Sequence, residues 1–305
     1  MKLDNLKSKM PMAKRERLFA LYLMTPCFLL VLIFAFFPIS YSFYLSMHRI
    51  ILSMPGLGQV FVGIENYVKF LHDPVALQAT VNTLAFVLIS TFFELGFGLV
   101  IALIIHQKFK GRGLARAAIL VPWAIPTVVS SQMWRFIFND NYGLLNLILY
   151  GTATADYRAW LADPLFAFLA IIAADVWKTS SFAGLLILAG LQTIPEDLYE
   201  SARIDGAGAW QCFRRITLPL IKPAILIALL FRTMDGFRVF DLVFVMTQGG
   251  PADSTNVLQF YGYKKIFGEG FMGYGSTISV FVFLLVLFLS VLYVRLIGKR
   301  MFQQE

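Results

Sequence analysis

Charge is scarce in this chain. Only 14% of its 305 residues are Asp, Glu, Lys or Arg, while 58% are hydrophobic. A soluble domain carries about 25% charged and 45–50% apolar residues, so the composition is that of an integral membrane protein. Cysteine is almost missing: Cys27 and Cys212 cannot make a disulfide framework. Histidine is equally sparse. His48, His72 and His106 are far apart, share no metal-ligand spacing and read as interfacial residues. There is no G-x-x-x-x-G-K-[ST] phosphate loop, so the chain does not hydrolyse ATP itself. No internal repeat, low-complexity tract or interdomain linker divides it, which leaves a single transmembrane domain. With no protease, metal or nucleophile motif, a membrane-embedded enzyme has no chemistry to run on.

What is present is long apolar runs. A span needs about 20 mostly apolar residues, and six stretches qualify: about 18–46, 78–106, 114–138, 165–190, 219–247 and 273–297. The first follows Lys14, Arg15 and Arg17, as a signal peptide would. Its run is too long for that, however, and lacks a small-residue cleavage site. The expected fold class is therefore all-α, a polytopic membrane protein of six helices, with tails at 1–17 and 298–305.

The net charge of +8 would suit nucleic acid in a soluble protein. Here its distribution gives another cause. Seventeen Lys and Arg residues lie in the N-terminus, the "HQKFKGRGLARA" loop, the 191–222 segment and the C-terminus, against five in the alternate loops. With six spans all the rich segments share one side, so the positive-inside bias makes both termini cytoplasmic. The loops at about 47–77, 139–164 and 248–271 then face outward, long enough to meet a partner.

One cytoplasmic stretch is out of place among such greasy neighbours: "YESARIDGAG", residues 199–208. The longer segment around it reads as two short helices at an elbow. Thr193 and Glu196 have capping-box spacing, and Pro195 suits a first helical turn. Leu198, Tyr199 and Ala202 form a small apolar edge. Gly206 and Gly208 allow a tight bend or the approach of another backbone. A second helix is expected from about Ala207 to Arg215, presenting Trp210 and Phe213, before Thr217 and Pro219 open the fifth span. A helix lying on the bilayer is the simplest reading, but Glu200 and Asp205 would repel an anionic leaflet. A protein partner explains them better.

The spacing Glu200-Ser201-Ala202, Asp205-Gly206-Ala207, then Ile216 and Leu218-Pro219, resembles the EAA loop of permease subunits of bacterial ABC importers. Ser201 stands where the family name has Ala. "ILVPWAIPTVVSSQMWRFIFNDNYGLLN", "DVWKTSSFAGLLILAGLQTIPEDLYESARIDGA" and "FRVFDLVFVMTQGGPADST" resemble the carbohydrate-uptake branch, in particular its maltose-transporter-type first permease. The likeness covers about 20–297. It implies that segment 193–218 is a coupling helix docking on a separate ATPase, with Glu200, Ala202, Asp205 and Gly206 forming the contact. It also implies partners: a second permease of different sequence, two ATPase copies, an extracytoplasmic substrate-binding protein docking near "TQGGPADST", a carbohydrate substrate and the lipid bilayer of the bacterial inner membrane. No nucleic acid is expected. No cofactor belongs to this chain, ATP and Mg being held by the ATPase.

Ionisable groups inside spans normally face a bundle interior or a wet cavity. The fifth span carries Arg232, Asp235, Arg238 and Asp241, each three residues after the last and so on one drifting helix side. Arg232 with Asp235, and Arg238 with Asp241, could pair and do no more than fix packing. The resemblance implies a mid-membrane sugar site between the fourth and fifth spans. By position that site would join Lys178, Thr179 and Phe182 to Arg232, Asp235, Gly236 and Val239. Asp235 would accept sugar hydroxyls and Phe182 would be the stacking ring. Arg238 and Asp241, nearer the outer end, would serve gating or structure. Glu94 is either a structural partner or part of the pathway. Two cations beside the site leave open a sugar phosphate or glycerol phosphate, and the buried acids leave an ion-driven secondary transporter as a further alternative. Pro122, Pro126 and Pro223 are expected to kink or break their helices.

Overall fold

The computed structural model describes residues 12–152 and 156–301. Helix α1 (Met12–Val31) passes through a π-helical turn into α2 (Phe37–Ser46). Residues 1–11 of the expected N-terminal tail and 302–305 of the C-terminal one lie outside the described residues. The rest of both expected tails is helical, joined to the first and last spans. On the loop that follows α2, a short hairpin pairs β1 (His48–Arg49) with β2 (Val60–Phe61), and α3 (Glu65–His72) leads to α4 (Pro74–His106). Most of the apolar stretch of Phe19–Ser46 is exposed within this chain; burial begins only at its end, with Leu45 and Ser46.

Two long helices, α4 and α8 (Pro164–Leu191), form the centre. Both begin at an Asp-Pro pair. Asp73 accepts from the backbone N–H groups of Val75 and Ala76 at 3.0 and 3.3 Å. Asp163 does the same for Leu165 and Phe166 at 2.9 and 3.2 Å. The acid caps the helix, and the proline fills a position whose N–H would have no partner. The Asp73-Pro74 cap sets the start of α4, four residues before the expected 78. The two helices cross through small residues: a Cβ on Gly98 would lie 2.9 Å from both Ala183 Cβ and Gly184 N. Such contacts let membrane helices approach closely.

Among the described residues, five helices are long and apolar enough to cross a membrane, or six if one bent pair counts as a span. That pair corrects the third expected span, 114–138. It is not one helix but α5 (Arg112–Ala124) and α6 (Thr127–Ile137), bent by 87°. Pro126 explains the break, since it lacks an N–H and forces Ile125 out of the helical region, to ψ 132°. A short α7 (Leu144–Tyr150) follows.

The segment after α8 folds into an elbow. Helix α9 (Glu196–Ile204) ends at Gly206, whose φ of +82° only glycine adopts freely. The Ala207 N–H closes the turn on the Ala202 carbonyl at 2.8 Å, the long bond of a Schellman end. Three expectations are corrected here. Thr193 does not form a capping box; its hydroxyl turns back to the Gly190 carbonyl at 2.8 Å, because Pro195 takes the cap position. The second short helix is not separate either. α10 (Ala209–Cys212) runs through a π-helical turn at Phe213–Thr217 into α11 (Leu218–Gly236), the wider turn carrying the helix past Pro219. The fifth expected span, 219–247, stops short: α11 ends at Gly236 and the chain unwinds before α12 (Asp241–Met246).

Helices α13 (Leu258–Tyr263) and α14 (Met272–Met301) complete the bundle. "TQGGPADST" is bound down rather than loose. Asn82 on α4 donates to the carbonyls of Asp253 and Asn256 at 3.1 and 2.9 Å, and the Leu258 N–H reaches Thr83 Oγ1 at 2.9 Å. Asp73 accepts from the phenols of Tyr261 and Tyr274 at 2.5 and 2.6 Å. Burial alone would push this carboxyl up; those two hydrogen bonds and the capped N–H groups outweigh it and hold Asp73 below its ordinary value.

Candidate functional site: a polar pocket between two helix breaks

The break after α5, the middle of α8 and the break after α11 meet around a cavity of about 430 Å³. Its lining brings together Lys178, Thr179, Arg232, Asp235, Gly236 and Val239, all expected from the sequence. Arg238 and Asp241, expected at the outer end, line it too. Broken helices suit such a place, because unwound backbone at membrane depth is tolerated where it lines a cavity or is buried in protein.

Its organising residue is Arg232, whose side chain is 3% exposed. The guanidinium donates from Nε to Glu94 Oε2 at 2.5 Å and from Nη2 to Glu94 Oε1 at 3.0 Å. Nη2 also reaches Asp175 Oδ2 at 3.4 Å, and Nη1 reaches Asp235 Oδ2 at 2.8 Å. One cation therefore joins carboxylates from α4, α8 and α11, using the fork geometry that arginine offers. Glu94 is fully buried and does not line the cavity. Asp235 is its opposite, with 64% of its side chain exposed.

The sequence expected Arg232 to pair with Asp235, and it does. The matching pair of Arg238 and Asp241 is not formed among the described residues. The helix ends at Gly236, so the three-residue spacing no longer keeps later residues on one side. Asp175, which lines the cavity and is 8% exposed, was not foreseen. It lies one helical turn before Lys178 and Thr179, and the test that singled out Glu94, an acid inside an apolar run, would have found it.

Lys178 is occupied as well. It is 7% exposed, and Nζ donates to the Trp123 carbonyl at 3.2 Å and to the Ile125 carbonyl. These carbonyls close α5 where Pro126 ends it, so the ammonium caps a helix C-terminus, the end favourable to positive charge. Thr179 turns its hydroxyl to the Asp175 carbonyl at 2.6 Å. Phe182 does not line the cavity. Its ring stacks on Trp123 at 5.4 Å, with Phe231 edge-on at 6.4 Å, and Trp123 is the aromatic residue that Phe182 holds at the cavity wall.

At the other end of α8, the elbow stands away from the bundle. Tyr199 anchors it through a 2.9 Å hydrogen bond to Thr217 and packs on the cluster around Ile187, Leu191 and Ile221. Glu200, Asp205 and Gly206 are exposed and Ala202 is half-buried. Ile204, 86% exposed, projects beside them and was missed by a reading focused on the polar residues. Glu196 pairs with Lys108 of the neighbouring loop at 2.6 Å, and this hydrogen bond with its charge holds the Glu196 carboxyl below its ordinary value.

Relatives share this architecture. The chain is 41% identical over 292 residues to the trehalose/maltose transport system permease protein MalF of Thermococcus litoralis, covering 96% of this chain and 97% of that one. It is 38% identical over 284 residues to the trehalose transport system permease protein SugA of Mycobacterium tuberculosis, with 93% and 90% covered. Over 285 residues it is 38% identical to the sulfoquinovosyl glycerol transport system permease protein SmoG of Agrobacterium fabrum, with 93% and 92% covered. Its fold matches a chain from the crystal structure of a bacterial ABC transporter that imports the acidic polysaccharide alginate, at a TM-score of 0.80 and 24% identity, covering 94% of this chain and 98% of that one. The profile described as "binding-protein-dependent transport system inner membrane component" matches residues 94–303. The chain belongs to that family of multi-pass transport permeases.

Proposed function

We propose that this chain is a permease subunit of an ATP-driven importer that moves a sugar inward by alternating access. The cavity between the two helix breaks carries this reading. It puts one well-exposed carboxylate, Asp235, at membrane depth beside Thr179, Arg238, Asp241 and the Trp123 face, groups suited to hydroxyls and a sugar ring. The relatives named for trehalose and maltose transport support the same substrate class.

The exposed elbow supplies the drive. Glu200, Ala202, Asp205 and Gly206 dock on a separate ATPase, and Ile204 fills a hydrophobic position in that contact. Tyr199 transmits the movement to α11, which ends at the cavity. ATP binding draws the paired elbows together and opens the cavity outward, where a binding protein delivers its sugar. Hydrolysis then resets the inward-facing state. A second, different permease chain completes the cavity, and both termini of this chain lie in the cytoplasm. An ion-driven transporter would leave the elbow without a purpose.

The test is uptake into proteoliposomes holding the full complex, with labelled trehalose and maltose offered on their binding protein. Uptake should require ATP and survive an uncoupler. Uptake without ATP that an uncoupler abolishes would reject the importer in favour of ion coupling.

A further inference from the structure

We propose that the cavity selects uncharged sugars over anionic ones, and that Lys178 and Arg232 are positioning residues that do not touch the substrate. This deepens the importer reading and rests on it. From the sequence, two cations beside the site suggested a sugar phosphate. The geometry removes both from the substrate's reach.

Lys178 already has two of its three donors on the Trp123 and Ile125 carbonyls, backbone groups that the break at Pro126 leaves without helical partners. Only 7% of it is exposed. Arg232 directs Nε, Nη1 and Nη2 to Glu94, Asp235 and Asp175, with a side chain 3% exposed. A buried guanidinium facing three carboxylates has no positive charge to spare. With Asp241 and Arg238, the two charged groups beyond Gly236, three acids line the cavity against three bases, and Glu94, buried behind Arg232, adds a fourth acid that neutralises one of those bases. Arg238 is exposed and in no ion pair among the described residues. It is thus the one base free to meet a ligand.

An entering phosphate, sulfonate or uronate would gain Arg238 and face Asp235 and Asp241. At low local dielectric that arrangement works against an anion. A neutral sugar meets no such opposition, because its hydroxyls donate to the same carboxylates. Asp235 suits this best, having one oxygen on Arg232 and most of its side chain open. Specificity by repulsion of the wrong ligand is a common device. Here it would act after the binding protein has made its own choice.

The experiment measures equilibrium binding to the purified complex of both permeases and the ATPase, without binding protein, so that the permease's own preference is read. The probes are labelled trehalose and maltose, and the phosphate monoester of each. The neutral sugars should bind at least about 100-fold tighter than their esters. Lys178→Met should lower the fraction of binding-competent complex while leaving the neutral-to-anionic ratio within about threefold, and Lys178→Arg should restore that fraction. Esters binding as tightly as the neutral sugars would overturn the selectivity while leaving the importer reading intact. A change of ratio beyond about tenfold in Lys178→Met would show that Lys178 touches the ligand, and overturn its assignment. Binding of no probe, in a complex that takes up sugar in proteoliposomes, would overturn the cavity as the site of selection.

Discussion

Arg232 on α11 and Glu94 on α4 form a two-pronged ion pair, Nε to Oε2 at 2.5 Å and Nη2 to Oε1 at 3.0 Å, with the Glu94 side chain wholly out of solvent. Because the same guanidinium also holds Asp175 and Asp235, this pair is the hub that sets how α4, α8 and α11 meet. Removing the cation leaves buried carboxylates uncompensated, and breaking such a pair costs about 3–5 kcal/mol. Arg232→Met should therefore lower the unfolding midpoint sharply in detergent, measured by thermal scanning. The double variant with Glu94→Gln should recover part of the loss. Equal loss in single and double variants would argue against a charge hub.

Much of this was legible in the sequence. The apolar runs, the basic loops and the EAA spacing are local signals, and Lys178, Thr179, Arg232, Asp235, Gly236 and Val239 do line one cavity. The commitments of those residues were not legible. The Lys178 contact with Ile125 spans 53 residues of sequence and the Arg232 contact with Glu94 spans 138, and each needs the bundle to be assembled first. Apolar residues continue on both sides of Gly236, between Arg232, Asp235, Arg238 and Asp241, and run on to Met246, so hydropathy carried the fifth span past its true end. The Phe182 assignment failed in a different way. An aromatic residue next to a polar site reads as a stacking platform, but here its face was already taken by Trp123.

Asp235→Asn should raise the half-saturating sugar concentration for uptake roughly tenfold, the loss expected for one charge-assisted hydrogen bond. The complex should still assemble, since Arg232 keeps Glu94 and Asp175. Uptake kinetics and co-purification of the ATPase check both halves. Unchanged kinetics would return Asp235 to a packing role.

Glu200→Lys reverses a charge on the exposed elbow without touching its anchor, the Tyr199 bond to Thr217. Membrane insertion should be normal. ATPase stimulation by loaded binding protein should fall at least about tenfold, as a reversed contact charge costs on the order of 1–3 kcal/mol or more. Normal stimulation would remove the coupling role from this side chain.

Acid should loosen the end of the bundle where Asp73 meets Tyr261 and Tyr274. Its carboxyl is held below the ordinary value by Tyr261 and Tyr274 against the effect of burial. A depressed folded-state pKa means the folded state favours the ionised form. The stabilisation is complete above the unfolded pKa, near 3.9 for an aspartate, and disappears as pH falls through the lower folded value. The acid limb of a stability curve should therefore steepen in this range for the native chain and flatten in Asp73→Asn. Parallel limbs in both proteins would place the acid sensitivity elsewhere.

Two glycines two residues apart on α4 separate helix propensity from helix contact. A Cβ on Gly96 meets nothing within 4 Å, whereas one on Gly98 meets Ala183 Cβ and the Gly184 backbone at 2.9 Å and the Ser180 carbonyl at 3.1 Å. Two of those three atoms are backbone, so α8 cannot yield by turning a side chain; the helices must part. Gly96→Ala should be neutral or stabilising by up to about 1 kcal/mol, the propensity difference. Gly98→Ala should cost roughly 1–3 kcal/mol, the usual penalty for overpacking, despite adding the same methyl group to the same helix. Thermal unfolding of both variants in one detergent decides the matter. If the two respond alike, α4 and α8 are not held by close backbone approach, and the Arg232 hub alone sets their spacing.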